Sequence, residues 1–332
     1  MNIVVQKFGG TSVATEESRD KVYEKIEKRI KENKKVVVVI SAMGRLGAAY
    51  ATDTLLNLLK NENPGTSERE LDMVYSCGEI ISACLMTAIL QKKGHKAVCL
   101  TGQQAGIFTD DNFTDAKICK IDTNKIINLL NKGYVVVITG SQGITSDAEI
   151  TTLGRGGSDI TGCALGVALN ADEIEIFSDV EGIMTGDPAK IEGVRLLEKI
   201  TYDDCINMTT NSSTKVMHPR SIEVVKDKNI KLHIKSTFSD SVGTLVCAER
   251  GAGQDDAYVV GISDKVKGEK TIVSVVGKAL RENQNIHFKA LKILEERKIP
   301  ILDMEVRDEV IKITVGNEHS LQTSKSLHNL VS

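Results

Sequence analysis

Val5-Gln6-Lys7-Phe8-Gly9-Gly10-Thr11-Ser12 is the stretch on which the reading of this chain turns. Ile3, Val4 and Val5 read as a short buried strand; a cation follows at Lys7, and a glycine pair lets the backbone turn sharply and expose its N–H groups. From Glu16 to Lys31, Val22, Ile26 and Ile30 recur at helical spacing among charged residues. A strand, a glycine turn with a lysine, and a helix suit an anion, because unpaired amides and the positive helix end can face a phosphate. The other reading is an ordinary strand–turn–helix with a surface lysine. The GxxxxGK[ST] spacing of a Walker A loop is missing.

Outward from that stretch the chain alternates strands and helices. Lys35 to Ser41 is a continuous β-branched run, as expected of a parallel strand covered on both faces. It ends in Ser41-Ala42-Met43-Gly44, at the strand's carboxyl end, where ligands sit in open α/β sheets. Thr52-Asp53 opens a short helix, and a longer one runs from about Ser67 to Lys92. Within the longer helix Glu79 stands among apolar residues, where a bare carboxylate is costly unless it meets a cation. A helix-surface glutamate is the alternative. Strands follow at Ala97 to Thr101 and Tyr134 to Thr139, with a helix over Thr123 to Lys132 between them, and Gly140 to Leu153 reads as a polar loop or hairpin. This alternation predicts an α/β sandwich with a mainly parallel sheet.

A second glycine-rich turn, Thr151-Thr152-Leu153-Gly154-Arg155-Gly156-Gly157-Ser158-Asp159, leads into a small-residue helix from Ile160 to Asn170. Ser158 or Asp159 can cap that helix, and Arg155 can hold a carboxylate or phosphate in a two-point clamp. Ser178-Asp179 ends the next strand and precedes a turn-rich loop through Met184 and Asp187, and Lys215 stands just before a helix opening at Pro219. The polar run 249–256 is the best domain boundary available. Beyond it, 257–332 reads as a small α+β module.

Composition narrows the function. With 332 residues, net charge -3 and pI near 6.1, the chain has room for two domains and no broad basic field for nucleic acid or an anionic membrane. No signal peptide and no apolar run long enough to span a bilayer are read, so a soluble cytoplasmic protein is expected. Seven scattered cysteines without a CxxC pair, and histidines without HExxH or HxxxH spacing, give no metal motif.

Taken together, VQKFGGTSV (5–13), SAMG (41–44), SCGE (76–79), TTLGRGGSD (151–159), SDVEGIMTGDP (178–188) and KVMHPR (215–220) resemble the aspartate kinases of the amino acid kinase family. The resemblance covers residues 1 to about 247 and implies an amino acid kinase-like α/β/α sandwich over 1–248, a linker over 249–256 and an ACT-like module over 257–332. It also implies ATP-dependent phosphorylation of the L-aspartate side-chain carboxylate, the first step toward lysine, threonine and methionine. Lys7 with the Gly9 and Gly10 amides would face the transferring phosphoryl group, with Asp159 orienting Lys7. Glu79 would receive the substrate ammonium and Arg155 a substrate carboxylate, with Ser41, Thr52, Gly156, Gly157 and Ser158 as further substrate contacts. Phe8, Ser178, Asp179, Met184, Asp187 and Lys215 fall at nucleotide-side positions. Magnesium would arrive bridging ATP phosphates, and no protein-held metal is expected.

Three departures qualify the resemblance. Met184 stands where many relatives have tyrosine, and Asp187-Pro188-Ala189-Lys190 where they read DPR. Relatives usually carry two ACT modules where 257–332 has room for one, permuted if Tyr258 to Ser263 pairs with the strand from Thr271. A homodimer through this module is expected; an effector amino acid is open. A kinase acting on glutamate or N-acetylglutamate, and a catalytically silent amino-acid sensor, are the rival readings.

Overall fold

The computed structural model describes residues 2–213, 216–249 and 258–331. In chain order the elements are β1 (Ile3–Phe8), α1 (Glu16–Lys31), β2 (Lys35–Ile40), α2 (Thr52–Glu62), α3 (Glu68–Lys92), β3 (Ala97–Leu100), β4 (Ile107–Thr109), β5 (Ile118–Ile121), α4 (Asn124–Asn131), β6 (Val135–Thr139), β7 (Gln142–Ile144), β8 (Ile150–Thr152), α5 (Gly157–Ala168) and β9 (Glu173–Ser178). They continue with β10 (Lys199–Thr201), α6 (Tyr202–Thr210), α7 (Pro219–Lys226), β11 (Leu232–Ser236), β12 (Thr244–Cys247), β13 (Tyr258–Lys267), β14 (Lys270–Lys278), α8 (Gln284–Glu296), β15 (Asp303–Val306), β16 (Val310–Gly316) and α9 (Ser320–Leu327).

Two compact units divide the chain: Met1–Glu181 with Val224–Val242, and Gly182–Glu223 with Gly243–Ser332. This division differs from the boundary read at residue 248, since residues 182–223 group with the C-terminal sheet. Of the expected linker, all but Glu249 lies outside the described residues.

The first unit is built on parallel strands in the order β11-β9-β1-β2-β6-β3. β1 and β2 are buried almost throughout because helices cover both faces of the sheet, as parallel sheets require. On one face Val4, Phe8, Val38 and Ile40 pack with Val22 and Ile26 of α1 and Met86 and Leu90 of α3. On the other lies α5, whose small residues let it approach closely: a Cβ at Gly162 would come 3.2 Å from the Lys7 Cβ. A small sheet of order β5-β4-β7-β8 carries the second glycine-rich turn at its end; its hairpin was anticipated at 140–153, whereas β4 and β5 were not.

By length and apolar composition alone α3 is long enough to cross a membrane. Its Asp72, Ser76, Glu79, Ser82 and Thr87 are buried, and Ala83, Met86 and Leu90 join the sheet core, as in the core helix of a globular unit.

In the second unit β10 and β12 pair in parallel, and β13-β14-β16-β15 form an antiparallel sheet. β13 pairs with β14 along nearly its whole length, from Tyr258↔Lys278 to Lys267↔Lys270. Ile311, Ile313 and Val315 on β16 alternate with less buried Lys312 and Thr314. Their apolar face meets Leu294 of α8 and Leu327 of α9, so this module has its own core.

Below the sheet core of the first unit, buried Glu175 on β9 accepts hydrogen bonds from Arg29 (2.6 and 3.0 Å), Lys235 (2.6 Å) and Gln6 (2.9 Å). Burial alone would raise its pKa, but Arg29 and Lys235 outweigh burial and hold it at about 2. Glu173, Glu175 and His233 offer metal-ligand atoms close together, but Arg29 and Lys235 already take the Glu175 oxygens. A lowered carboxyl pKa contributes stability above the unfolded value near 4.5 and loses it as pH falls toward 2. Glu175→Ala is therefore expected to lower unfolding free energy by about 3–5 kcal/mol at pH 7, because two cations lose their partner. Denaturant titration across pH 2–7 checks this: the deficit should shrink below pH 4.5, and a deficit independent of pH contradicts it.

Candidate active site

β1, β2 and β6 are followed by Gly9, Ser41 and Gly140, and β9 ends in Ser178; the candidate site lies at these carboxyl ends. Lys7 points toward α5 and is only 7% exposed. Its Nζ lies 2.6 Å from Oδ1 of Asp159, in the first turn of α5. That oxygen has no aligned hydrogen-bond donor, so the contact is ionic and off the hydrogen-bond direction. The ammonium can turn its N–H groups toward a ligand without losing its counter-charge.

Gly10 begins a short 3-10 turn at Thr11–Val13. A Cβ at Gly10 would lie 2.7 Å from the Ala42 carbonyl oxygen and 2.9 Å from that of Gly44, so only glycine fits this approach of two loops. The Gly10 amide has no acceptor among the described residues, as an anion-facing donor needs. The Gly9 amide, in contrast, donates to the Phe177 carbonyl at 3.2 Å. Gly9 is thereby tied to β9, and Phe8 is stacked on Phe177 in the core, with ring centroids 4.7 Å apart.

Ser41 donates to Ser158 Oγ at 2.8 Å, joining the end of β2 to the first turn of α5. Gly156 takes a left-handed φ of 73° ahead of the helix, and Gly157 and Ser158 start it. Arg155 at the tip of this turn is exposed and makes no ion pair among the described residues. Thr52 opens α2, and Gly78 of α3 packs against the Tyr50 carbonyl in the loop that precedes it.

Glu79 is 2% exposed. Burial pushes its carboxyl up to about 8, and the only counteracting donors are its own amide and that of Ala42. Its Oε2 is a buried oxygen without a hydrogen-bond partner among the described residues. A buried acceptor left open in this way calls for a donor from outside the protein, and a cation best of all. Tyr75, one turn earlier, hydrogen-bonds Ser141 at 3.1 Å, and its phenol is pushed up by burial and by the nearby Glu79 charge.

Two contributors were not read from the sequence. Asp72 accepts from the Thr114 amide (2.9 Å), the Thr152 amide (2.8 Å) and the Thr152 hydroxyl (2.5 Å), which anchors β8 just ahead of Arg155. Burial raises its pKa against those donors. Arg45, the second, pairs with Asp179 at 2.6 Å, both exposed, so Asp179 has a cation before any nucleotide arrives. Ser178 Oγ accepts from the Val180 amide at 3.3 Å. Met184 and Asp187 belong to the second unit, where Met184 bridges Leu196 and Asp187 accepts from the Ala189 amide. Lys215 lies outside the described residues.

The fold and the site define an α/β class that gathers cations and glycine turns at the carboxyl ends of parallel strands. The chain belongs to the amino acid kinase family, whose model matches residues 2–236. It is 43% identical over 252 residues to aspartokinase 1 of Bacillus subtilis, covering 76% of this chain and 62% of that relative. The chain thus spans about three fifths of that relative's length. A solved aspartate kinase from Synechocystis is 31% identical with a TM-score of 0.66, covering 97% of this chain and 54% of that one. E. coli aspartokinase III, solved with aspartate and ADP, superposes with a TM-score of 0.83 over 98% of this chain and 99% of that one, at 19% identity, a likeness of fold.

A raised carboxyl pKa has a sign opposite to that of Glu175. The folded state holds the proton between about 4.5 and 8, so stability is full below the unfolded value and falls as pH rises through 8. The melting temperature of the ligand-free protein is expected to drop between pH 5 and pH 8.5, and Glu79→Gln to flatten that slope. Equal slopes in the two proteins contradict the assignment of Glu79 as a buried acid.

Proposed function

We propose that this chain phosphorylates the side-chain carboxylate of L-aspartate with ATP. The observation that carries the reading is Glu79: a buried carboxyl group with an open oxygen in an amino acid kinase fold is suited to a substrate ammonium. An N-acetylated substrate offers no such charge. Similarity to aspartokinases over three quarters of the chain supports the same substrate.

The chemistry asks little of acid–base groups. An aspartate side chain with a reference pKa of about 4 is already ionised at neutral pH, so no general base is needed to make it a nucleophile. Two anions must instead be brought into line and the charge between them neutralised. Lys7, held by Asp159, supplies fixed positive charge, and the Gly10 amide a backbone donor. Arg155, without an ion pair among the described residues, is assigned to a substrate carboxylate, and Ser41, Ser158 and Thr52 are assigned as hydroxyl contacts, the first two already bonded to each other. Gly156 and Gly157 bring the backbone of the second turn to the same substrate.

Ser178, Asp179, Met184, Asp187 and Lys215 are assigned to the nucleotide. Magnesium is assigned to the ATP complex, bridging its phosphates, while Asp159 and Asp179 are ion-paired with Lys7 and Arg45. We further propose that 1–248 forms the catalytic domain and 257–332 a single permuted ACT-like module. The pairing of β13 with β14 supports that permutation. A cytoplasmic homodimer joined through this module completes the reading; a light-scattering mass of one chain contradicts it.

Incubation with MgATP and aspartate is expected to yield a hydroxylamine-trappable acyl phosphate, with N-acetylglutamate inactive. Lys7→Ala should lower kcat on the order of 10²–10³-fold, the range seen when one transition-state donor is removed. The variant should stay folded with a lowered melting temperature, because Asp159 loses its counter-ion, and turnover should fall far more than stability. No acyl phosphate from the parent protein, or equal loss of fold and turnover in the variant, contradicts the proposal.

A further inference from the structure

The loop after β9 carries Met184 and Asp187, and between them stands Thr185, which is 1% exposed and has every polar group engaged within the second unit. Its amide donates to the Arg195 carbonyl at 2.9 Å, and its carbonyl accepts from the Ile262 amide of β13 at 2.8 Å. Its hydroxyl accepts from the Arg195 amide at 3.0 Å and shares a 2.9 Å hydrogen bond with Nε2 of His328, in the 3-10 turn His328–Leu330 that follows α9. Burial, reinforced by Arg195, holds His328 below the ordinary imidazole range, so the ring is neutral at pH 7 and can complete the bond in either direction.

The fit around this point is close. A Cβ at Gly261 on β13 would come 2.8 Å from the Thr185 carbonyl oxygen, and one at Gly186 3.4 Å from the His328 ring. Lys190, one position on from where relatives place an arginine, is not left for a ligand. Its ammonium binds both oxygens of Asp264 on β13, at 2.8 and 2.9 Å, with Asp187 at 3.6 Å. Burial works against that charge, but Asp264 outweighs it and raises the pKa. The loop is thus pinned at two points to β13 and at a third to the turn after α9.

We propose that His328 is a positioning residue for the nucleotide-side loop, acting through Thr185, so that the C-terminal module sets the affinity for ATP. This rests on the reading of Met184 and Asp187 as nucleotide contacts given above. Thr185 touches no substrate in this account. It fixes the backbone between two residues that do, and a side chain from the far end of the chain holds Thr185 in turn. A change in packing between α9 and β13 would reach the nucleotide by this route.

The test compares KM for ATP, KM for aspartate and melting temperature in His328→Ala, His328→Gln, Thr185→Val, Thr185→Ser and the Ala/Val double variant. Loss of one buried hydrogen bond predicts a rise of about fivefold in KM for ATP in His328→Ala and in Thr185→Val. KM for aspartate should stay within about twofold, far less than a lost buried bond produces. The double variant should be no worse than either single one, because both remove the same link. Gln at 328 and Ser at 185 keep the polar partner and should restore most of the ATP affinity. Near-isosteric Thr185→Val carries the comparison if His328→Ala does not fold.

An unchanged KM for ATP in folded variants, or a parallel rise for both substrates that Gln and Ser do not rescue, overturns the proposal. Asp187→Ala separates the two levels. If it raises KM for ATP while the His328 and Thr185 variants do not, only the positioning role fails. If it leaves KM for ATP unchanged, the nucleotide reading of the loop fails and the positioning role with it.

Discussion

Charge held away from water is the constraint on which the first unit depends. A buried ion without a partner costs several kcal/mol, so each one must be neutralised, bonded or protonated. Lys7 meets Asp159 across the small-residue face of α5. Glu175 is surrounded by Arg29, Lys235 and Gln6, and Asp72 takes two amides and a hydroxyl. Glu79 alone of these has an oxygen with neither a hydrogen bond nor a counter-ion among the described residues, and it responds by holding its proton to about pH 8. Three of the four groups are solved inside the protein. The fourth is where a ligand has something to supply.

This pattern separates structural charge from functional charge. Glu173, Glu175 and His233 could pass for a metal site by proximity, yet two cations already occupy the Glu175 oxygens. Asp179 and Lys190 are ionisable groups near loops of interest, and both are already paired, with Arg45 and Asp264. Arg155, exposed at the tip of a glycine turn and without an ion pair among the described residues, is in the opposite condition. A chemistry that aligns two anions needs few such groups, because positioning and charge neutralisation do most of the work.

Much of this was legible in the sequence, and the failures have physical causes. The β-branched runs of β1, β2 and β6, the helical spacing of α1 and the glycine turns before Ser12 and Asp159 are local signals, and each is found where local periodicity places it. Lys7 and Glu79 could be singled out because a charge in or beside an apolar run is conspicuous, whereas Asp159 read locally as a helix cap and took its place beside Lys7 from the resemblance. Asp72 and Tyr75 could not: their partners lie at Thr114, Thr152 and Ser141, and nothing local marks them. β4 has 3 residues and β5 has 4, too short for a period of two to show. The bond from the Gly9 amide to Phe177 was not legible locally, because it depends on pairing with β9 that continues one residue beyond Phe8. The link from Thr185 to His328 spans 143 residues and is invisible to any reading of local pattern.

The most direct test of the account is the proton balance of aspartate binding, measured by calorimetry at pH 7 in buffers of different ionisation enthalpy. If Glu79 is the neutral buried acid that ionises to meet an ammonium, close to one proton per aspartate should pass to the buffer, and Glu79→Gln should abolish it. Aspartate binding with no proton released, or succinate binding as tightly as aspartate, contradicts the central claim.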